Sequence, residues 1–188
     1  NFDNAMRFLK LVGDDKGLNL SLRNISLSTC GVVPRIYDLM ERHLQLTLSV
    51  SLHAPNNEMR SKTMPINKKY PIEELLKACR EYTKRTSRRI SFEYAMIKDV
   101  NDSDACAYEL AALLKGMLCH VNLIPANEIV ESSHKRSTNE RLESFIKILN
   151  SRGINATVRR SLGSDIDASC GQLRSRHNRE ISEKEGNK

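Results

Sequence analysis

The sequence predicts an α/β fold: an incomplete, splayed parallel (β/α) barrel with a polar interior. Two observations carry that reading. Strand-like runs alternate with amphipathic helical runs along most of the chain, the pattern of parallel strands joined by right-handed crossovers. The strands are also apolar on one face only, the other carrying Ser26, Ser28, Thr47, Ser49, Ser51, Glu93 and Asn122. A doubly wound sheet, covered on both faces, reads as near-continuous apolar strands. A closed eight-stranded barrel fills its interior with Val, Ile and Leu layers. Neither describes this chain, so an open, incomplete arc with a polar ligand inside is expected.

The elements follow in order. Phe2, Ala5, Phe8, Leu9 and Val12 form a helical stripe that Gly13 can close. Asn24 to Thr29 reads as a strand with Ile25 and Leu27 on one face, and Gly31 breaks it. Pro34 fits the first turn of a helix carrying Ile36, Leu39 and Met40 inward. Leu44, Leu46, Leu48, Val50 and Leu52 alternate with polar residues ending in Ser51 and His53, the clearest period-two run in the chain. A loop is expected from Ala54 to Tyr70, then a helix with the stripe Ile72, Leu75, Leu76, Cys79 and Tyr82. Ile90, Phe92, Tyr94 and Met96 mark the next strand. Asn101-Asp102-Ser103 caps a helix holding Ala107, Leu110, Ala111 and Leu114. Val121 and Leu123 mark a strand that delivers Pro125-Ala126-Asn127. Ser137 to Glu140 reads as a capping box before Leu142, Phe145, Ile146 and Leu149, and Ala156 to Arg159 is a last short strand.

At 188 residues, 39% of them hydrophobic, the chain supports one core and one domain. That domain is expected over residues 1–173, with 174–188 a charged tail poor in apolar residues. The chain opens at Asn1 directly into a helical pattern, as expected of a piece of a longer protein. No run suits a membrane span or a signal peptide, so a cytoplasmic protein with no membrane partner is expected. The five cysteines (Cys30, Cys79, Cys106, Cys119, Cys170) are odd in number and scattered, which suits reduced thiols, and no pair has zinc-ligand spacing. No metal ligand is expected in this chain. Thirty Lys plus Arg against 23 Asp plus Glu give a net charge of +7, which favours a polyanionic partner.

Ligands of such folds sit at the carboxyl ends of the strands. Ser28, Ser51, His53, Asn127 and the segment after Arg159 converge there. Singly, each has a structural reading: a strand-end serine, a histidine bonded to the backbone, an Asx-turn. Their convergence on one rim favours a site. Cys170 lies among small and turn-forming residues (Ala168, Ser169, Gly171) that leave room at the sulfur, unlike a cysteine filling a core. Asp165 and Asp167 would raise its pKa, whereas Arg159, Arg160 and Arg174 would lower it. Phosphate-loop, dinucleotide and nucleophile-elbow motifs are missing.

Five stretches together resemble one family. They are Leu27-Ser28-Thr29-x-Gly31-Val32-Val33-Pro34, Val50-Ser51-Leu52-His53-Ala54-Pro55-Asn56, Met64-Pro65-Ile66-Asn67, Asn122-Leu123-Ile124-Pro125, and Asp165-Ile166-Asp167-Ala168-Ser169-Cys170-Gly171-Gln172-Leu173. Their order and spacing resemble the radical S-adenosylmethionine RNA adenine methyltransferases over nearly the whole chain to about Leu173. Ser51 to Asn56 and Phe92-Glu93-Tyr94 look closer to the branch that methylates carbon 2 of an adenine in 23S rRNA and tRNA than to the carbon-8 branch. The resemblance implies an incomplete, splayed barrel of the radical SAM type that lacks its first strands in this sequence. It further implies contacts to S-adenosylmethionine from Ser28, Ser51, Leu52, His53 and Asn127, and a catalytic, methyl-carrying Cys170. A 4Fe-4S cluster and an electron donor for it are also implied. The family's C-x-x-x-C-x-x-C cluster motif, partner cysteine and Gly-Glu segment are not in this sequence, and Ser164 and Glu128 depart from the family pattern. Two other readings remain open. One is a non-catalytic RNA-binding remnant using Arg60, Lys62, Lys68, Lys69, Lys135 and Arg136 on the rim. The other is a phosphate-handling barrel enzyme, for which Gly163 alone speaks.

Overall fold

Five strands form one parallel sheet in sequential order: β1 (Ser26–Thr29), β2 (Thr47–Ser51), β3 (Ile90–Met96), β4 (Cys119–Pro125) and β5 (Ala156–Val158). They are seen in a computed structural model that describes residues 1–126 and 135–159. Asn127, Cys170, the domain boundary at 173 and the charged tail therefore lie outside the described residues. Sequential order means that every crossover steps the same way. With a common right-handed crossover, all the connecting helices fall on one face of the sheet. The arc is open, as expected.

The outer face of the strands carries the core. Leu48, Val50, Ile90, Phe92, Tyr94, Met96, Val121 and Leu123 are all but fully buried. They form one cluster with the inward stripes of the helices α1 (Phe2–Gly13), α2 (Val33–Met40), α4 (Ile72–Thr86), α5 (Asp104–Leu114) and α6 (Asn139–Ser151). The Tyr94 and Phe145 rings meet at 5.3 Å and 41°, joining β3 to α6. The Tyr94 hydroxyl donates to the Asn101 carbonyl at 2.8 Å, so its polar end is satisfied within the core.

The inner face is polar in two registered rows. Ser28, Ser49, Ser91 and His120 lie side by side across β1 to β4. One step toward the carboxyl ends, Ser51, Glu93, Asn122 and Thr157 do the same across β2 to β5. Hydroxyl, carboxylate and amide groups bond to one another along this face: Ser26 Oγ to Ser49 Oγ at 2.7 Å, Ser91 Oγ to Glu93 Oε1 at 3.0 Å, and Asn122 Nδ2 to Glu93 Oε2 at 2.8 Å.

Several boundaries differ from the sequence reading, each for a local reason. Phe8 is 60% exposed because the buried stripe of α1 runs through Met6, Leu9 and Val12, and Phe8 sits about 100° around the helix from Leu9. β1 begins at Ser26 because Leu22–Asn24 close a short 3-10 turn. Of the alternating run Leu44 to His53, only Thr47–Ser51 pairs as strand. The expected loop from Ala54 to Tyr70 contains α3 (Asn57–Thr63) and a 3-10 turn at Pro65–Lys68. α3 was hidden by its few apolar residues. Its start is nonetheless marked by Asn56, whose side chain accepts from the Met59 amide at 2.9 Å. The cap of α6 is Thr138, which accepts from the Arg141 amide, rather than Ser137.

Cys79 has no exposed surface and its thiol is pushed up to about 12 by burial. It packs as a small hydrophobe. Cys79→Ser should lower stability by about 1–3 kcal/mol by burying a hydroxyl with no partner. A lower urea midpoint with an unchanged circular dichroism spectrum is the expected result.

Candidate functional site

The carboxyl ends of β1 and β2 are held by a buried guanidinium. Arg60, on α3, has no exposed surface. Its Nη2 donates to the Cys30 carbonyl at 2.8 Å and the Ser51 carbonyl at 3.1 Å, its Nε to the Leu52 carbonyl at 3.2 Å, and its Nη1 to Asn67 Oδ1 at 3.0 Å. One side chain thus fixes the separation of two strand ends. Asn67 is fixed in turn, donating to Ser61 Oγ at 2.8 Å and to Asn57 Oδ1 at 3.1 Å, while Asn57 Oδ1 accepts from the first amide of α4 at 2.8 Å. Gly31 makes the approach possible. It adopts φ +102°, and a Cβ there would meet Arg60 Nη2 at 3.2 Å.

The same arrangement corrects the expectation that Arg60 lies on the rim as a contact for RNA. Its charge is turned inward onto main-chain carbonyls, whereas Lys62, Lys68, Lys69, Lys135 and Arg136 are exposed.

His53 follows directly. Its backbone is left-handed at φ 59°, a conformation His adopts more readily than most residues. Its Nδ1 accepts from the Ala95 amide of β3 at 3.0 Å, so the ring proton sits on Nε2. Its carbonyl accepts from Asn101 Nδ2 at 2.9 Å, and the same amide group donates to the Ala95 carbonyl at 2.7 Å. Burial first, and the nearby Arg60 charge second, lower its pKa to about 4. His53 is therefore a neutral donor with a fixed tautomer.

The remaining expected residues fall unevenly. Ser28 is exposed on the inner face and Ser51 is half-buried beside Glu93. Leu52 is fully buried, so any contact it makes with a ligand runs through its backbone. Asn127 and Cys170 lie outside the described residues. The site also uses Asn67, Glu93 and Asn101, which the sequence does not mark as site residues, and Arg60, which it marks only as a rim contact for RNA. An Asn at 101 beyond a strand reads as a turn residue, and an Arg on a polar segment reads as surface. Only their burial shows otherwise.

Residues 2–111, more than half of the chain, match the radical SAM superfamily. The chain belongs to the radical SAM superfamily. It is 54% identical over 180 residues, 96% of its length, to a probable dual-specificity RNA methyltransferase RlmN of Caldanaerobacter subterraneus subsp. tengcongensis. It is 50% identical over 99% of its length to the protein of the same name in Lachnospira eligens. It spans about half the length of these curated relatives, 53% of each. A crystal structure of a radical SAM methyltransferase from Sphaerobacter thermophilus superposes with a TM-score of 0.89 at 50% identity, over 92% of this chain and 50% of that one. A domain of a pyruvate-formate lyase-activating enzyme from Bacteroides vulgatus shares the fold, with a TM-score of 0.56 at 18% identity over 72% of this chain and 80% of that one.

Radical SAM membership implies S-adenosylmethionine and a 4Fe-4S cluster. The inner face fits the first: it is a polar surface with hydroxyls at Ser28 and Ser51, a fixed N–H at His53 and a carboxylate at Glu93, suited to a polar nucleoside carrying positive charge. The described residues do not fit the second. No group of three or more His, Cys, Asp or Glu among them could hold a metal ion. Cys79 and Cys106 are buried in the core, Cys119 is buried with its thiol pushed up to about 11, and Cys30 stands alone at the rim.

Two outcomes test this rim. A histidine whose folded pKa is about 4, against 6.5 unfolded, binds its proton more readily when unfolded. Its contribution is fully present above about pH 6.5 and is lost as pH falls toward 4, at up to about 1.4 kcal/mol per pH unit. Urea unfolding of the wild type and His53→Asn across pH 4–7 should show that slope in the wild type and its loss in the variant. Separately, Arg60→Met leaves three carbonyls and Asn67 without a donor and should cost about 3 kcal/mol or more, with Arg60→Lys recovering only part. Equal urea midpoints for wild type and Arg60→Met would remove the clamp from this account.

Proposed function

We propose that this chain forms the carboxyl-terminal part of the catalytic barrel of a radical SAM methyltransferase that methylates carbon 2 of an adenine in 23S rRNA and tRNA. The observation that carries the reading is the polar inner face at the carboxyl ends of β1 and β2, held by Arg60 and bearing Ser28, Ser51 and a neutral His53. The likeness to proteins named dual-specificity RNA methyltransferases supports the reaction class. The net charge of +7 and the exposed cations Lys62, Lys68, Lys69, Lys135 and Arg136 support an RNA partner. A substrate pair of rRNA and tRNA supports a cytoplasmic location for the protein.

Bound S-adenosylmethionine supplies the methyl group. Ser28 and Ser51 offer hydroxyls to its polar groups, and His53 Nε2–H offers a donor whose direction the Ala95 amide sets. Leu52 contributes through its backbone, and Asn127 adds an amide. Cys170, as its thiolate, takes the methyl on its sulfur and becomes a methyl thioether, while the methyl–sulfonium bond breaks with its electron pair left on the departing neutral thioether, S-adenosylhomocysteine. A thiolate is nucleophilic enough to attack a sulfonium methyl near neutral pH, whereas a serine hydroxyl needs a strong base. The buried Cys79 and Cys119, with thiols pushed up to about 12 and about 11, are poor competitors.

The test is on Cys170. The full-length gene product, purified from cells that make S-adenosylmethionine, should carry one extra methylene mass on the Cys170 peptide and on no other cysteine peptide. Cys170→Ser should remove both that mass and RNA methylation while binding of S-adenosylmethionine persists. Methylation at the wild-type rate by Cys170→Ser would overturn the proposal.

A further inference from the structure

Glu93 is the one carboxylate on the inner face of the five described strands. It lies directly opposite Ser51 in the β2–β3 register, about 5 Å away across adjacent strands. It therefore stands at the depth of the residues that the proposed function assigns to the ligand. Its carboxylate is held from two sides: Ser91 Oγ donates to Oε1 at 3.0 Å, and Asn122 Nδ2 donates to Oε2 at 2.8 Å. Both partners are neutral. They fix the direction of the carboxylate without cancelling its charge, and each oxygen keeps the capacity to accept again. None of the ion pairs among the described residues involves Glu93. Arg60, the buried cation beneath the same rim, directs its hydrogen bonds to carbonyls and to Asn67.

A half-buried carboxylate without a cation loses solvation that two neutral donors restore only in part. The residues beside it, Ser49, Ser51, Ser91 and Asn122, are uncharged, and the cation Arg89 lies toward the amino ends near His120, so the field of Glu93 falls on whatever occupies this face at the carboxyl ends of the strands. We propose that Glu93 is a specificity-determining residue that selects a sulfonium ligand over its neutral thioether counterpart. The inference rests on the proposed function, in which this face takes S-adenosylmethionine. It adds a preference for charge: the demethylated product, having lost the sulfonium charge, is held less tightly than the substrate.

The experiment compares two probes, S-adenosylmethionine and S-adenosylhomocysteine, by calorimetric titration of the full-length gene product. Glu93→Gln should lower affinity for S-adenosylmethionine about tenfold and leave that for S-adenosylhomocysteine nearly unchanged. Glu93→Asp, which keeps the charge, should retain most of the preference. A purely structural role would weaken both ligands alike, so a parallel loss overturns the proposal, as does an unchanged ratio. The wild type gives a second measurement that needs no variant: S-adenosylmethionine binding should weaken with added salt more than S-adenosylhomocysteine binding. Equal salt dependence also overturns it. Wild-type protein that binds neither probe would instead overturn the proposed function, and the role of Glu93 with it.

Discussion

A fully buried guanidinium that faces no carboxylate among the described residues is the constraint on which the upper rim of this sheet depends. Arg60 reaches the carbonyls of Cys30, Ser51 and Leu52 together, and nothing smaller than its planar fork spans those positions. Burying a charge is costly. Here the cost is offset by hydrogen bonds to three carbonyls and one amide, and burial still pulls the Arg60 pKa below its ordinary value. The result is a rim whose geometry is set from beneath. Gly31 has to lack a side chain, Asn67 has to present an oxygen, and His53 stays neutral.

From that clamp the site is assembled by the sheet itself. Parallel pairing with a period of two puts Ser51, Glu93, Asn122 and Thr157 in one row and Ser28, Ser49, Ser91 and His120 in the next. The chemistry is distributed over four or five strands that are distant in sequence. Asn101 completes the arrangement at β3, tying His53 to Ala95 through one side-chain amide. Rigidity of this kind suits a site that must present donors at fixed directions to a polar ligand, because the ordering cost is met on folding rather than on binding.

The two faces of the sheet divide the work between stability and function. The outer face is a dense apolar layer under five helices, where cysteines, tyrosines and an asparagine are absorbed with their polar atoms bonded or desolvated. The inner face holds few apolar side chains and contributes little to the core. Substitutions there are expected to act on binding before they act on folding, while those on the outer face do the reverse. That separation explains how serines recur on three strands of a stable sheet.

What the sequence by itself determined is the alternation of elements and the two-faced character of the strands, because both are periodic and local. Leu48, Val50 and the other apolar members of each run announce the buried face, and Ser28, Ser51 and His53 are legible as members of a polar rim at strand ends. The five motifs that resemble the radical SAM methyltransferases carried the family. What only the tertiary structure decided is which polar residues turn inward. Arg60 reads as a surface cation on a polar stretch, Asn67 as a loop residue, and Asn101 as a turn residue. Their partners lie in other elements, with Arg60 bonded to residue 30 and Asn101 to residue 53. α3 was missed for a related reason: its one fully buried side chain is the charged Arg60 rather than an apolar stripe. Hydrophobic periodicity reports which side chains avoid water. It is silent about a charged side chain whose water has been replaced by carbonyls brought together only when the chain folds.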